Sequence, residues 1–245
     1  MEDARMVFAV IVAGGSGHRM GQDIPKQFIH INNKPVLIYT LEGFQNHPEI
    51  DKIGVVCVEG WESMLQAYAR QFDISKLDWV ITGGATVQES IWRGIQQLEN
   101  KCSDSDIVII HDGIRPMVDE TVLTDVIAVA REKGNAVTSL PYNEQIFWVD
   151  EAEPDSTVGF IPREKLRRVS TPQAYQYQLV KSVYEKAFET GLGLKGSSYT
   201  NTMMVEHGIR LYFAKGSERN VKLTTKEDLD LFKAMLELKR DTWLK

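Results

Sequence analysis

The chain has 245 residues, of which 43% are hydrophobic and 25% charged, enough apolar material for one large α/β domain or two small ones. A formal net charge of −6 argues against a general nucleic-acid partner or an anionic membrane surface, since both require a basic face. No apolar run approaches the ~20 residues that cross a bilayer, and the start Met1-Glu2-Asp3-Ala4-Arg5 lacks a signal-peptide pattern, so a cytoplasmic protein is expected.

Short apolar runs alternate with amphipathic ones through the first half. Val7–Val12 reads as a buried strand and Pro35–Phe44 as a helix after an Asn32-Asn33 turn. Lys52–Val58 is a strand, Glu62–Gln71 a helix, Trp79–Thr82 a strand and Glu89–Leu98 a helix. Asp106–Ile110 is again a strand, followed by helix Val118–Lys133 and strand Ala136–Leu140. Near-continuous apolar strands separated by helices predict a parallel sheet covered on both faces, a doubly wound, mostly parallel α/β fold.

After Pro141 the pattern changes. Gln145–Asp150 and Thr157–Ile161 flank the acidic turn Glu151–Ser156 and read as a β-hairpin. An isolated hairpin is marginal in water, so this arm, at about residues 141–162, is expected to pack on a second subunit of a homodimer. The chain returns to helix at Gln178–Thr190 and near Thr202–His207, strand at Arg210–Ala214, and a closing helix from a Thr224 or Thr225 cap to about Lys239. No internal repeat or low-complexity tract divides it, and one domain over residues 1–245 is expected. Cys57 and Cys102 have no partner at metal-ligand spacing and read as structural thiols.

The first strand runs into Ala13-Gly14-Gly15-Ser16-Gly17-His18-Arg19-Met20-Gly21, and Pro25-Lys26-Gln27 follows. Glycines directly after a first strand let backbone N–H groups close on a phosphate chain without Cβ obstruction. A tight strand-to-helix turn is the plainer reading of the same cluster. A dinucleotide fingerprint would need glycine where Met20 stands, and a P-loop would need a closing Gly-Lys-Ser/Thr that is absent. Instead, Arg19 and Lys26 flank the loop, a pair of cations able to hold a triphosphate and offset charge developing at phosphorus.

These residues resemble the signature of the nucleotidyltransferases that make CDP-alcohols, a family that includes the methylerythritol-phosphate and ribitol-5-phosphate cytidylyltransferases. The resemblance implies a Rossmann-like nucleotidyltransferase sandwich with CTP as donor and a small phosphorylated alcohol as acceptor. It puts Arg19 and Lys26 on the triphosphate and transition state, with Ala13, Gly14, Gly15 and Gly17 along the nucleotide. Gly83-Gly84-Ala85 through Ser90 resembles the segment over cytosine and ribose, implying nucleotide contacts for Gly83 and Ser90. His111-Asp112-Gly113-Ile114-Arg115-Pro116 resembles the family's His-Asp-x-x-Arg-Pro. There Asp112 would approach the ribose, metal or acceptor, and Arg115 the acceptor phosphate; a turn carboxylate and a loop-shaping His111 are the plainer alternatives. Arg163 and Thr171-Pro172-Gln173 resemble a further acceptor-phosphate segment, whereas Arg167 and Arg168 read as solvated charges. Gly216–Thr224 resembles the closing segment, with Lys222 as its phosphate-binding lysine.

Several positions depart from the better-known members. Val87 replaces an arginine, Gln145 a substrate-contacting threonine in the arm, and Tyr199-Thr200-Asn201-Thr202 a segment with carboxylates, while Gly113-Ile114 replaces a small pair. The acceptor side thus differs more than the nucleotide side. Pro25-Lys26-Gln27-Phe28 and Gly60-Trp61 lean towards the ribitol-phosphate branch, with glycerol phosphate, another polyol phosphate or methylerythritol phosphate still open. The implied chemistry is in-line attack of the acceptor phosphate on the α-phosphorus of CTP, aligned by Arg19, Lys26, Arg163 and Lys222. Arg115, Gln145 and Thr171 would help hold the acceptor, and Mg²⁺ would be held mainly by the nucleotide with Asp112 beside it. Rival readings are a nicotinamide-dependent oxidoreductase, which Met20 disfavours, a non-catalytic nucleotide sensor, and a transferase using UTP, GTP or ATP.

Overall fold

The computed structural model describes residues 5–15, 24–195 and 199–240. In chain order the elements are β1 (Val7–Ala13), a small hairpin of β2 (His30–Ile31) and β3 (Lys34–Pro35), α1 (Val36–Gln45), β4 (Lys52–Cys57), α2 (Glu62–Gln71) and β5 (Leu77–Thr82). Next come α3 (Val87–Gln96), β6 (Ile107–Asp112), α4 (Glu120–Lys133), β7 (Asn135–Pro141) and the arm strands β8 (Ile146–Trp148) and β9 (Gly159–Ile161). The chain ends in β10 (Arg167–Gln176), α5 (Tyr177–Thr190), α6 (Thr200–Glu206), β11 (Phe213–Lys215) and α7 (Lys226–Arg240). Among the described residues no helix is long and apolar enough to cross a membrane.

Seven strands form one sheet in the order β11-β7-β10-β6-β1-β4-β5. Strand β1 shows why both faces are covered. Val7, Ala9, Ile11 and Ala13 point into a core shared with Leu37, Leu41 and Phe44 of α1, Leu65 of α2 and Val126 of α4. Phe8 and Val10 point the other way, against Ile91 and Ile95 of α3 and Val180 and Tyr184 of α5. An apolar run with a side chain to each face requires helices on both sides, which is the doubly wound arrangement expected from the sequence.

The register of the sheet places the site. From β1 the chain moves outward to β4 and β5, and α3 then returns it to β6 on the opposite side of β1. Strand β1 is parallel to both β4 and β6, so the carboxyl ends of β1 and β6 part where the winding reverses. Ligand crevices of open α/β sheets lie at such a switch point.

Strand β10 was not visible in the sequence. It runs antiparallel between β6 and β7, the one reversed strand of the seven. Its register shifts between Ser170 and Gln173, so Pro172 sits in an irregularity and needs no ladder N–H. A polar Arg-Arg-Val-Ser-Thr-Pro-Gln run lacks the β-branched, apolar pattern of its neighbours and conceals the strand. Strand β11 begins later than expected, at Phe213, because the side chain of Asn135 takes over residues 210–212. Its Nδ2 donates to Arg210 O (3.0 Å), and its Oδ1 accepts from Tyr212 N (3.1 Å).

The arm is a hairpin, shorter than expected, whose strands pair with each other and not with the central sheet. Phe147, Trp148, Val149, Val158 and Phe160 are all exposed on it. Helix α7 begins at a cap in which Thr225 Oγ1 accepts from Asp228 N while Asp228 Oδ2 accepts from Thr224 N and Thr225 N. Leu229 and Phe232 of that helix close over Ile31, Val36, Met117 and Leu223, which ties the closing segment to the loop after β6.

One position gives a direct test of this packing. Gly54 on β4 pairs with Trp79 on β5, and a Cβ there would lie 2.0 Å from the indole ring. Gly54→Ala should displace Trp79 and cost about 1–3 kcal/mol, as overpacking does. Urea unfolding checks it, and an unchanged midpoint would mean that the indole is not held as described.

Candidate active site

A cleft of 230 Å³ opens at the parted ends of β1 and β6. Ala13, Gly14, Gly15 and Lys26 line one side, and Asp112, Thr171 and Lys222 the other. Val87, Ile91, Ile110, Ile114 and Tyr199 supply apolar wall.

The glycine side is anchored from below. Buried Gln27 donates from Nε2 to Ala13 O (2.7 Å) and to Gly15 O (3.0 Å), holding the end of β1 against the turn that carries Lys26. That turn, Lys26–Phe28, is a single 3₁₀ turn after Pro25, and Phe28 stacks on Trp61 at 4.6 Å between ring centroids. The Pro25–Phe28 and Gly60-Trp61 features singled out in the sequence therefore belong to one packing unit under Lys26. Ser90 and Gly83 also lie against the loop. Ser90 Oγ donates to Thr86 O (2.9 Å) and accepts from Gly84 N (3.0 Å), and a Cβ on Gly83 would sit 3.0 Å from that oxygen. Ser90 is buried and shapes the Gly83-Gly84 turn, and its hydroxyl proton is already used there.

The opposite side is built from three chain segments. Asp112 ends β6; its Oδ2 accepts from Arg115 Nε (2.9 Å) and lies 3.3 Å from Lys222 Nζ. Burial opposes its charge, but the Lys222 and Arg115 cations and the Arg115 hydrogen bond outweigh that, holding the carboxyl below the usual range. Thr171 is carried to the same place by the irregularity in β10, where its Oγ1 accepts from Asp112 N (3.1 Å). Lys222 is brought in by the closing segment, in which Leu223 N donates to Ile114 O (2.9 Å). Arg115 spends Nε on Asp112 and Nη1 on Asn220 O (2.8 Å), so it braces the wall as well as adding charge.

His111 lies beneath this turn at 0% exposure. Its Nε2 is 3.1 Å from Arg115 O, an acceptor, so Nε2 carries the proton; Nδ1 is buried without a hydrogen-bond partner. Burial pushes its pKa down to about 4. The sign follows from linkage. Between pH 6.5 and 4 the unfolded chain protonates this group and the folded one does not, so stability falls as pH falls through that window. A difference of that size removes up to about 3 kcal/mol. The urea midpoint should decline from pH 6.5 to 4, and His111→Gln, which retains a donor near Nε2, should flatten the decline; an unaltered pH slope in the variant would remove His111 as its source.

Within one chain, then, Ala13, Gly14, Gly15, Lys26, Asp112, Thr171 and Lys222 share the cleft. Gly17 and Arg19 lie outside the described residues. Within a single chain, Arg163 and Gln145 do not line this cleft. They line a separate groove on the arm with Ile146, Phe147, Phe160 and Ile161, and Arg163 Nη1 donates to Asn143 O (2.8 Å). The reason is topological, since the arm strands leave the sheet between β7 and β10 and pair only with each other. Arg167 and Arg168 are exposed as expected, Arg168 pairing with Glu218. Both thiols are free, and burial pushes each up to about 12, which makes them poor nucleophiles.

Sequence reasoning assigned no role to Gln27 or Asn220, although each stands inside a quoted motif; an amide within two residues of a motif lysine was the available signal. Among the described residues no three His, Cys, Asp or Glu side chains gather as a metal cage. Asp112 offers a lone carboxylate, which suits a magnesium ion carried chiefly by phosphate oxygens.

The sequence profile of the family described as IspD, 2-C-methyl-D-erythritol 4-phosphate cytidylyltransferase, matches residues 7–238. The chain belongs to this family. IspD relatives include a protein of Lacticaseibacillus paracasei named ribitol-5-phosphate cytidylyltransferase, 56% identical over 96% of this chain and 99% of that one. Another, from Clostridium novyi and named 2-C-methyl-D-erythritol 4-phosphate cytidylyltransferase, is 34% identical over 94% of this chain and 96% of that one. The IspD fold is shared with the crystal structure of a 4-diphosphocytidyl-2C-methyl-D-erythritol synthase from Anaerococcus prevotii, at a TM-score of 0.82 and 23% identity over 96% of this chain and 97% of that one. As an IspD-family member the chain is a nucleotidyltransferase of the cytidylyl-transferring class.

Proposed function

We propose that the protein transfers a cytidylyl group from CTP to ribitol 5-phosphate, releasing pyrophosphate. The observation that carries this reading is the 56% identity, over nearly both full lengths, to a relative named for that reaction. The cleft supports it, because Lys26 on the glycine side and Lys222 on the other line the same space. In this reading a phosphate oxygen of the acceptor bonds to the α-phosphorus while the bond to the β-phosphate oxygen breaks. A phosphate dianion needs no strong base, so the protein's work is alignment and charge stabilisation. Lys26, with Arg19, would hold the triphosphate; Lys222 and Thr171 would receive the acceptor phosphate. Asp112, kept ionised by its two cations, would hold a magnesium ion together with the nucleotide, and the ion would supply positive charge that offsets phosphate repulsion.

Arg163 and Gln145 enter this scheme through a homodimer in which each arm lies against its partner. The exposed aromatic and aliphatic face of the arm supports that association. Arg163→Ala should then mainly raise the KM for the acceptor, and an unchanged KM would take the arm out of acceptor binding. The whole chain would act as one nucleotidyltransferase domain with the arm at about 141–162, and its two free thiols suit a reducing cytoplasm.

A second reading, with 2-C-methyl-D-erythritol 4-phosphate as acceptor, is favoured by the family profile and by relatives such as that of C. novyi. The deciding experiment is mass spectrometry of products after CTP, UTP, GTP or ATP is offered with a panel of polyol phosphates. CDP-ribitol as the dominant product is expected; a CDP-methylerythritol product would transfer the assignment, and no nucleotidyl product with any pair would end it.

A further inference from the structure

We propose that Asn220 is a positioning residue that sets the acceptor side of the cleft without touching substrate. The inference rests on the cytidylyltransferase reading above. Asn220 is 5% exposed and closes a ring of four residues drawn from three distant segments. Its Nδ2 donates to Thr171 O (2.6 Å); Thr171 Oγ1 accepts from Asp112 N (3.1 Å); Asp112 Oδ2 accepts from Arg115 Nε (2.9 Å); Arg115 Nη1 donates to Asn220 O (2.8 Å). Lys222, two residues further on, reaches Asp112 Oδ2 at 3.3 Å. The ring thus fixes the relative places of Thr171, Asp112 and Lys222, three of the polar groups that line the cleft.

The amide can be oriented only one way. Thr171 O is an acceptor, so the nitrogen must face it, and the opposite end, Oδ1, is left buried with no hydrogen-bond partner. Buried polar atoms are almost always paired, and an unpaired one calls for an explanation beyond stability. Holding the Thr171 main chain at a set distance from Arg115 supplies it, since an apolar side chain of the same shape would fill the space but leave that joint unmade.

Asn220→Leu separates positioning from stability, because it keeps the branched shape and removes both polar ends. Steady-state kinetics with CTP and ribitol 5-phosphate, alongside thermal melting, should show a variant that melts near the wild type. Its KM for ribitol 5-phosphate should rise about tenfold, the equivalent of one lost hydrogen bond of ~1.4 kcal/mol, while its KM for CTP rises less, because the amide contacts Thr171 and reaches Asp112 only through it. Asn220→Ala, measured in the same way, is the second variant. Unchanged constants, an equal rise in both KM values, or failure of both variants to fold would overturn the proposal. Absence of turnover in the wild type with this pair would instead overturn the assignment of function.

Discussion

Lys26→Ala is expected to lower kcat by about 10²–10³-fold, the effect of removing one preorganised donor from a charge-stabilising site, ~2.7–4 kcal/mol. Neighbouring residues brace the backbone that carries Lys26. Pro25 O accepts from Phe28 N, Gln27 ties the turn to Ala13 and Gly15, and Phe28 stacks on Trp61. Truncation should therefore leave the fold intact while removing charge from the cleft. Turnover within a few-fold of wild type, in a protein that melts normally, would deny Lys26 its place on the triphosphate.

Asp112→Asn should affect both activity and stability. The carboxylate is the shared counter-ion of Arg115 and Lys222, and the amide leaves two cations facing each other across a partly buried wall. Breaking a fully buried pair costs about 3–5 kcal/mol; Lys222 is half-buried, so solvent screening reduces the expected loss to about 1–3 kcal/mol. Turnover should drop by about 10²-fold or more, because the variant loses the negative charge that aims Lys222 into the cleft. Because its cations hold Asp112 below the usual carboxylate range, it should remain ionised through mild acid, and its contribution to stability should disappear only as pH falls below 3.8. Urea titrations and kcat measured on the same preparation check both effects, and a variant with wild-type turnover would exclude Asp112 from the reaction.

The parts of the fold that were legible in the sequence are those written in apolar periodicity. The strands read as Val7–Val12 and Asp106–Ile110 needed no partner to be recognised, because side chains buried on both faces leave near-continuous apolar runs. Strand β10 was hidden because its place in the sheet comes from its neighbours, β6 and β7, while its own residues are polar and interrupted by Pro172. The site divides in the same way. Lys26 stood out as a cation beside the glycine loop, and Asp112 and Lys222 through the family resemblance; all three line one cleft. Arg163 carried the same kind of signal, but its location depends on where a hairpin goes, which residue identity does not encode. Asn220 and Gln27 act through main-chain carbonyl groups far away in sequence, a relation that only coordinates reveal.

The reversed course of β10 bears on how this scaffold can be re-engineered. Lys26 stands on a short 3₁₀ turn outside the central sheet, so its position depends on no strand ladder. Thr171, by contrast, is woven into an interior strand flanked on both edges, so grafting a foreign segment there would unravel two ladders at once. Altered acceptor preference should therefore be sought at Val87 and Tyr199, which rim the cleft from helix starts and can be changed without cutting into the weave.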